Sequence, residues 1–389
     1  MFHRQAISVR KDTALAAPAP MPPESTLSCL PWRALEDQIA AWDRLALRAS
    51  EPNPFFESWY LLPSLRHLPD TGKVMVLLFE RAGELAGLLP VVSAPRYYRW
   101  PVPNLASWLH ENCFCGVPLI ARGAERDFWR AVLDWADDRA GQALFLHLRA
   151  MPVDGPIHAA LSATISGEAR QTEIVLREDR ALLASGLSAD AYLEASLSSK
   201  KRKELRRQAS RLAEQGTVAA ERRSDADGLP EWCERFLALE ASGWKGKAGS
   251  ALANHAGTAA LFRESLEGAA ARGRLERLSL TLGGRPIAML ASFLTPPGAY
   301  SFKTAFDERY SRFSPGVLLQ RENLDILERG DIEWSDSCAA ADHPMIDHLW
   351  RERRTMARLS IAIGGPLRRR LFRSFVRAEL VRNPAGGGR

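Results

Sequence analysis

Ser314, Pro315 and Gly316 stand where an alternating apolar stretch, Tyr300 to Phe306, gives way through a polar loop to a helical pattern. Serine can cap a helix with its hydroxyl, proline suits the first helical position, and glycine has no Cβ to hold a ligand away. The N–H groups of the next turn, aligned with the helix dipole, then favour an anion such as the phosphate of a carrier. An ordinary capped helix start has the same residues, so spacing alone does not separate the two readings. A second group, His110, Cys113 and Cys115, has metal-ligand types, but no second ligand pair follows at zinc-site spacing. Buried or incidental thiols fit that group better, and no metal is expected.

The elements that must hold these residues can be read from periodicity. Leu35 to Leu47 has a helical pattern. Val74 to Phe79 and Leu85 to Val92 form a hairpin about a glycine-containing turn. A short strand at Gly116 to Ile120, a helix from Ala124 to Arg139 and a strand from Ala143 to Leu148 follow. The second half repeats the order. Helices at Pro230 to Ser242 and Thr258 to Arg272 lead into strands at Leu275 to Leu282, Ile287 to Leu294 and Tyr300 to Phe306. Gly283-Gly284 and Pro296-Pro297-Gly298 are the turns between these strands. A helix from Pro315 to Arg329 and a strand from Ile332 to Ser335 close the series. The turn sequences RAGELAGLLPVV and LGGRPIAMLASFL hold equivalent places, so the chain reads as a tandem pair of α/β units, mixed sheets flanked by helices. The expected layout is a flexible lead-in over 1–26, one unit over 27–180, a second over 181–360 and a basic tail over 361–389.

Composition supports two sizeable cores: 389 residues, 46% hydrophobic and 25% charged. The net charge of +6 is uneven. Residues 200–211 hold seven Lys/Arg against one Glu, and residues 351–389 hold eleven Arg against two Glu. Two basic devices on a mildly acidic body imply local anion contacts rather than a surface coated for nucleic acid. Five cysteines without a framework fit a reducing compartment. No apolar run approaches a membrane span and the amino end lacks a sustained apolar core, so a cytoplasmic protein is expected.

The strand and helix order of the second half, with KTAFDERYSRFSPGVLL at its centre and SLSSKKRKELRRQASRLAEQG ahead of it, resembles the CelD-like and Fem-like branch of the GNAT acyltransferase superfamily. The likeness covers most of Leu182 to Arg354, and Leu27 to Leu176 is similar to the degenerate first unit such proteins carry. In that family the helix after the carrier-binding strand opens with Arg or Gln, two variable residues, Gly, one variable residue, then Gly or Ala. Arg312, Phe313, Ser314, Pro315, Gly316 and Val317 occupy this window, departing from the pattern at Pro315, which has no N–H, and at Val317, which adds bulk. The resemblance implies acetyl-CoA or another acyl-CoA as donor, held by Arg312, Ser314, Gly316, Val317 and Leu318.

Acyl transfer from a thioester needs a base for the incoming nucleophile and donors for the developing oxyanion. Asp307 is the candidate base, Lys303 the residue that positions a carboxylate or polarises a carbonyl, and Tyr310 the proton donor to the leaving thiolate. Asp307 paired with Arg309 or Arg312, a solvated Lys303 and a core-packed Tyr310 are the structural alternatives. Trp244 and Lys245 resemble an acceptor-side element of the family. Asp336, on the face of its strand shared with Trp334, and His343 beyond it are further residues able to reach a cleft.

No Cys or Ser sits in a nucleophile setting, so direct transfer in a ternary complex is expected. The acceptor implied is an amine or hydroxyl on a sugar, lipid or cell-envelope precursor, as in polysaccharide biosynthesis. Two alternatives remain open: aminoacyl transfer from a charged tRNA, as in Fem-like proteins, and a non-catalytic protein that binds nucleic acid or a membrane surface. The helix from Ser198 or Ser199 to Gln215, carrying Lys200 to Arg211, is the candidate contact for tRNA, an acyl carrier protein or coenzyme phosphates. A helix from Pro366 to Leu380 sets Leu367, Leu371 and Phe375 against Arg368, Arg369, Arg370, Arg373 and Arg377. Such a helix can lie on the anionic inner face of a membrane or dock on the second unit.

Overall fold

The computed structural model describes residues 24–343 and 345–382, with side chains to residue 377. The first unit runs β1 (Ser25–Pro31), α1 (Ile39–Arg48), α2 (Ser58–His67), β2 (Met75–Arg81), β3 (Glu84–Ala94), β4 (Asn104–Ser107), β5 (Leu119–Ile120), α3 (Glu125–Arg139), β6 (Phe145–Pro152), α4 (Pro156–Gly167) and β7 (Thr172–Leu183). The second opens with α5 (Ala189–Ser196), α6 (Ser199–Ala213), β8 (Val218–Arg223), α7 (Leu229–Ser242), α8 (Trp244–Lys247) and α9 (Ala256–Ala271). It continues through β9 (Leu275–Leu282), β10 (Arg285–Thr295), β11 (Gly298–Phe306), α10 (Pro315–Asn323), β12 (Trp334–Asp336), β13 (Glu352–Ala362) and α11 (Pro366–Arg382).

The two hairpins at equivalent places turn alike. Ala82 and Gly83 have φ of 54° and 76°, and Gly283 and Gly284 have 55° and 77°, the left-handed pair that matches strand twist in a two-residue hairpin. Among the described residues the strands form one 13-stranded sheet in the order β1-β2-β3-β4-β6-β13-β7-β12-β11-β10-β9-β8, with β5 on β3. Read from its two edges inward, each half presents the same series: an edge strand, a hairpin, a strand, a parallel neighbour and an antiparallel closing strand. The closing strands are exchanged. β7, from the first half of the chain, pairs with β12, and β13, from the second half, pairs with β6.

This exchange alters the expected layout. The boundary at 180/181 falls inside β7, and the end expected at residue 360 falls inside β13. The lead-in to residue 26 overlaps β1, while residues 1–23 lie outside the described ones. The strand expected at Gly116 to Ile120 shortens to Leu119–Ile120, and the helix expected to reach Arg329 ends at Asn323 in a tighter turn, Leu324–Glu328.

In the second unit, strand alternation splits β10 between two cores. Met289, Ala291 and Phe293 pack with Phe236 of α7 and Phe262 of α9, while Leu290 and Leu294 pack with Leu318 and Leu319 of α10. The units also touch through α2 and α9, where Gly268 and Gly257 allow close approach: a Cβ on Gly268 would lie 2.8 Å from Trp59 Cβ, and one on Gly257 2.3 Å from the His67 carbonyl oxygen.

Candidate active site

β11 and β12 run parallel and pair only from Gly298 to Tyr300, opposite Trp334 to Asp336. The base of this fork is tight, since a Cβ on Gly298 would meet the Trp334 ring at 2.3 Å. Beyond Tyr300, β11 carries an extra residue against β10: Tyr300 faces Phe293, but Lys303 already faces Ala291. A bulge of this kind bends the strand and re-aims its side chains. It lies where β11 loses its pairing with β12, and Lys303 is the first residue after it.

Lys303 is half-buried beside the rings of Phe114 and Phe302, with its ammonium 5.2 and 5.8 Å from their centroids. Among the described residues no carboxylate lies within ion-pairing distance of it. Burial, aided by the neighbouring Lys245 charge, pulls its pKa down to about 8. Lys245 itself is tied to Glu240 Oε1 at 2.8 Å and to the Thr304 carbonyl at 3.2 Å, and buried Glu240 also accepts from Leu252 N–H at 2.8 Å. His343 is half-buried, and burial and Lys245 lower its pKa, so at neutral pH its ring is largely uncharged. On the side of the first unit, His110 stacks on Tyr60, meets Ser64 Oγ at 3.1 Å and is held neutral by burial and by Lys303, with a pKa of about 3.

The other candidates sit elsewhere. Asp307 is buried at the turn after β11, accepting from Arg309 N–H at 3.0 Å and from its guanidinium at 2.6 Å. Those bonds hold its carboxyl below the usual range, which makes it a weak base. Tyr310 packs against the core of the second unit. Trp244 is 57% exposed, and its N–H is capped by Glu308 at 2.6 Å. Asp336 is fully buried, accepting from Arg180 at 2.6 Å, Arg354 at 3.5 Å and Cys338 N–H at 2.9 Å. It and Trp334 do share a face, for Arg354 also lies over the Trp334 ring at 4.5 Å, but that face points into the structure.

The amino end of α10 differs most from expectation. Ser314 has φ 53° and ψ 52°, and its hydroxyl caps nothing. In that left-handed turn its carbonyl accepts from Val317 at 2.9 Å and Leu318 at 3.0 Å, so both amides are spent. Pro315 has none to offer. A Cβ on Gly316 would lie 2.5 Å from Met345 Sδ, so the close approach made possible by glycine is filled by a thioether. Phosphate recognition by this helix end therefore loses most of its donors.

Arg312 finds a different setting. With Phe313 it faces Arg207 and Arg211 of α6 across a groove of 270 Å³. Ser198 caps α6 through Lys201 N–H at 3.3 Å, and Leu205 and Leu212 bury its inner face. Arg207 pairs with Glu204 at 2.6 Å, whereas Arg211 and Arg312 have no carboxylate partner among the described residues.

No group of three or more His, Cys, Asp or Glu among the described residues is arranged to hold a metal ion. The Cys113 thiol lies on the Cys115 carbonyl at 3.5 Å, and burial raises the pKa values of Cys113, Cys115 and Cys338. These thiols stay protonated and are poor nucleophiles. The tail helix α11 docks through Phe372 and Val376 together with Phe375 of the expected stripe, which stacks on Phe145 at 5.8 Å, and it docks on the first unit rather than on the second. Leu367 and Leu371 remain exposed, Arg369 pairs with Asp137 at 2.7 Å, Arg368 bonds the Ala143 carbonyl and Arg373 bonds Gln171. Among the described residues no helix is long and apolar enough to cross a membrane.

Residues 199–343, from α6 to the loop beyond β12, match the family described as acetyltransferase (GNAT) domain. Over this stretch the second unit is similar to GNAT acetyltransferase domains. Three solved structures share the fold of nearly the whole chain. FemX is 11% identical with a TM-score of 0.54, over 85% of this chain and 97% of its own. The carboxy-terminal domain of a putative lysylphosphatidylglycerol synthetase from Agrobacterium fabrum is 12% identical at 0.51, over 88% and 96%. A conserved protein of unknown function from Bacteroides thetaiotaomicron is 13% identical at 0.51, over 83% and 97%. No curated protein sequence matches. The GNAT-like stretch thus sits in a longer two-unit fold, and its match ends before β13, the strand the second unit lends to the first.

Proposed function

We propose that this GNAT-like domain transfers an acyl group from coenzyme A to an amine or hydroxyl, with the reaction at the fork between β11 and β12. The observation that carries this reading is Lys303, a lysine without a carboxylate partner whose pKa falls to about 8 where the strands part. A neutral lysine amine is a competent general base near that pH. The acceptor lone pair attacks the thioester carbonyl carbon and the acceptor proton passes to Lys303 Nζ. The C–S bond breaks as the thiolate leaves. The raised pKa values of the cysteines favour direct transfer over an acyl-cysteine.

The donor phosphates are read by guanidinium groups in this account. Arg211 and Arg312 lack carboxylate partners and line one groove, while the amides at the start of α10 are mostly occupied. An aminoacyl-tRNA donor is the second reading, favoured by that same closed helix end and by Lys200, Lys201, Lys203 and Arg206, which leave most of their charge to solvent on α6. Thermal protection separates the two. An acyl-CoA should raise Tm, and Arg312→Ala should weaken that protection about tenfold in concentration, a loss of about 1.4 kcal/mol. Protection by tRNA and none by any acyl-CoA would transfer the assignment to the second reading.

A further inference from the structure

A cavity of 610 Å³ lies away from the donor groove, on the sheet face made by β3, β4, β6, β13 and β7. Strand alternation sends His147 and Arg149 of β6, Arg180 of β7 and Arg358 of β13 to this one side. Arg149 is largely withdrawn from water yet has no carboxylate. Its guanidinium donates only to the Ser107 and Leu109 carbonyls at 3.2 and 2.9 Å. Arg358 donates to the Tyr98 hydroxyl at 2.6 Å and likewise has no carboxylate among the described residues, nor has Arg96 at the rim. Glu111 and Glu178 also border the cavity, on exposed positions.

Buried nitrogens without a partner gather here: His147 Nε2, Arg149 Nε and Arg180 Nε all line this cavity. His147 and Arg180 are 3% and 7% exposed. Native proteins rarely leave such atoms unsatisfied; Arg180 has its counter-charge in Asp336 at 2.6 Å, but Arg149 has none, and a guanidinium withdrawn from water without one is costly unless something brings it. The cavity also adjoins the fork. His110 belongs to its wall and feels the Lys303 charge, and Ala339 to Ala341, which close the cavity, follow β12.

We infer that this cavity seats the acceptor, and that the acceptor carries a phosphate or carboxylate which Arg149 and Arg358 receive while its nucleophile points past His110 to Lys303. This inference rests on the acyl-transfer reading for its function but not for its binding. Guanidinium pairs match such oxyanions in a bidentate fork, and orientation by a remote charged group is a common source of rate.

The test is thermal shift of the full chain with inorganic phosphate, a hexose phosphate, the matching free hexose and vesicles containing anionic phospholipid. It is run on the wild type, on Arg211→Ala/Arg312→Ala, on Arg149→Gln and on Arg358→Gln. The expected result is protection by the hexose phosphate and by phosphate, none by free hexose, retention in the donor-groove variant, and at least about tenfold weaker binding in each cavity variant. Protection by vesicles alone, lost in the same variants, assigns the phosphate to a lipid headgroup. Having two cavity variants guards against one that fails to fold. If no phosphate-bearing probe protects the wild type, or protection is lost in the donor-groove variant and kept in both cavity variants, the inference is overturned. Acyl-CoA protection in the same series reports separately on the donor site.

Discussion

Each unit runs two parallel strands side by side and then lets them part, β4 from β6 in the first and β11 from β12 in the second. In the first unit the chain fills its own fork. Arg149 N–H donates to Ser107 Oγ at 3.0 Å, its guanidinium holds the Ser107 and Leu109 carbonyls, and Gly116 N–H reaches the Ala150 carbonyl at 2.8 Å. In the second unit pairing ends at Tyr300 and Asp336, and among the described residues no such set of backbone bonds follows it; Lys303, a lysine with a lowered pKa and no carboxylate partner, follows on β11. One framework built twice teaches that the pairing of strands does not set the chemistry; what occupies the gap beyond the last pair does.

The comparison is broken most severely by Lys303→Met. Loss of a general base predicts a fall in kcat/KM of about 100-fold or more. Tm should not drop, because an uncompensated, partly buried amine is replaced by an apolar chain of similar length. The wild-type rate should rise with pH through about 8 as Lys303 loses its proton, and the variant should lack that limb. The linkage has the same sign. Between about 8 and the ordinary 10.5 the folded chain holds fewer protons than the unfolded one, so this group makes the fold more stable as pH climbs.

Gly116→Ala attacks the closed fork instead. A Cβ there would lie 2.0 Å from the Arg149 carbonyl oxygen, a backbone atom that cannot swing aside. Overpacking of this kind costs about 1–3 kcal/mol, read as a lower denaturation midpoint. A smaller effect is expected for Lys245→Met, which removes a charge that lowers the Lys303 pKa, so the pH–rate limb should move to higher pH. Asp307→Asn should change least. Its carboxylate serves Arg309 and the turn, and kcat/KM should move by less than about threefold, under 1 kcal/mol. A hundredfold loss there would put the base back on Asp307.

Much of the second unit was legible because its signals are local. Gly283-Gly284 marks one hairpin, alternation marks β9 to β11, and Ser198 announces α6. The exchange of β7 and β13 was not. Neither strand has a turn partner beside it in sequence, and Met356 faces Glu178, far away along the chain. Lys303 was named from its place on β11, but the bulge that aims it is a mismatch between two strands and has no sequence mark of its own. Ser314 misled for the opposite reason. Serine before Pro-Gly normally caps, and only its left-handed backbone, with Met345 packed on Gly316, turns the helix end inward. The cavity arginines come from β6 and β13, so their meeting depends on the strand exchange that periodicity does not reveal.

The most direct measurement is a crystal structure of the full chain with a thioether analogue of acyl-CoA that cannot be cleaved. The account predicts the sulfur between β11 and β12 next to Lys303, with phosphates on Arg211 and Arg312. An analogue bound with its sulfur remote from Lys303, or its phosphates on the amides of α10 after Met345 has moved away, would contradict it.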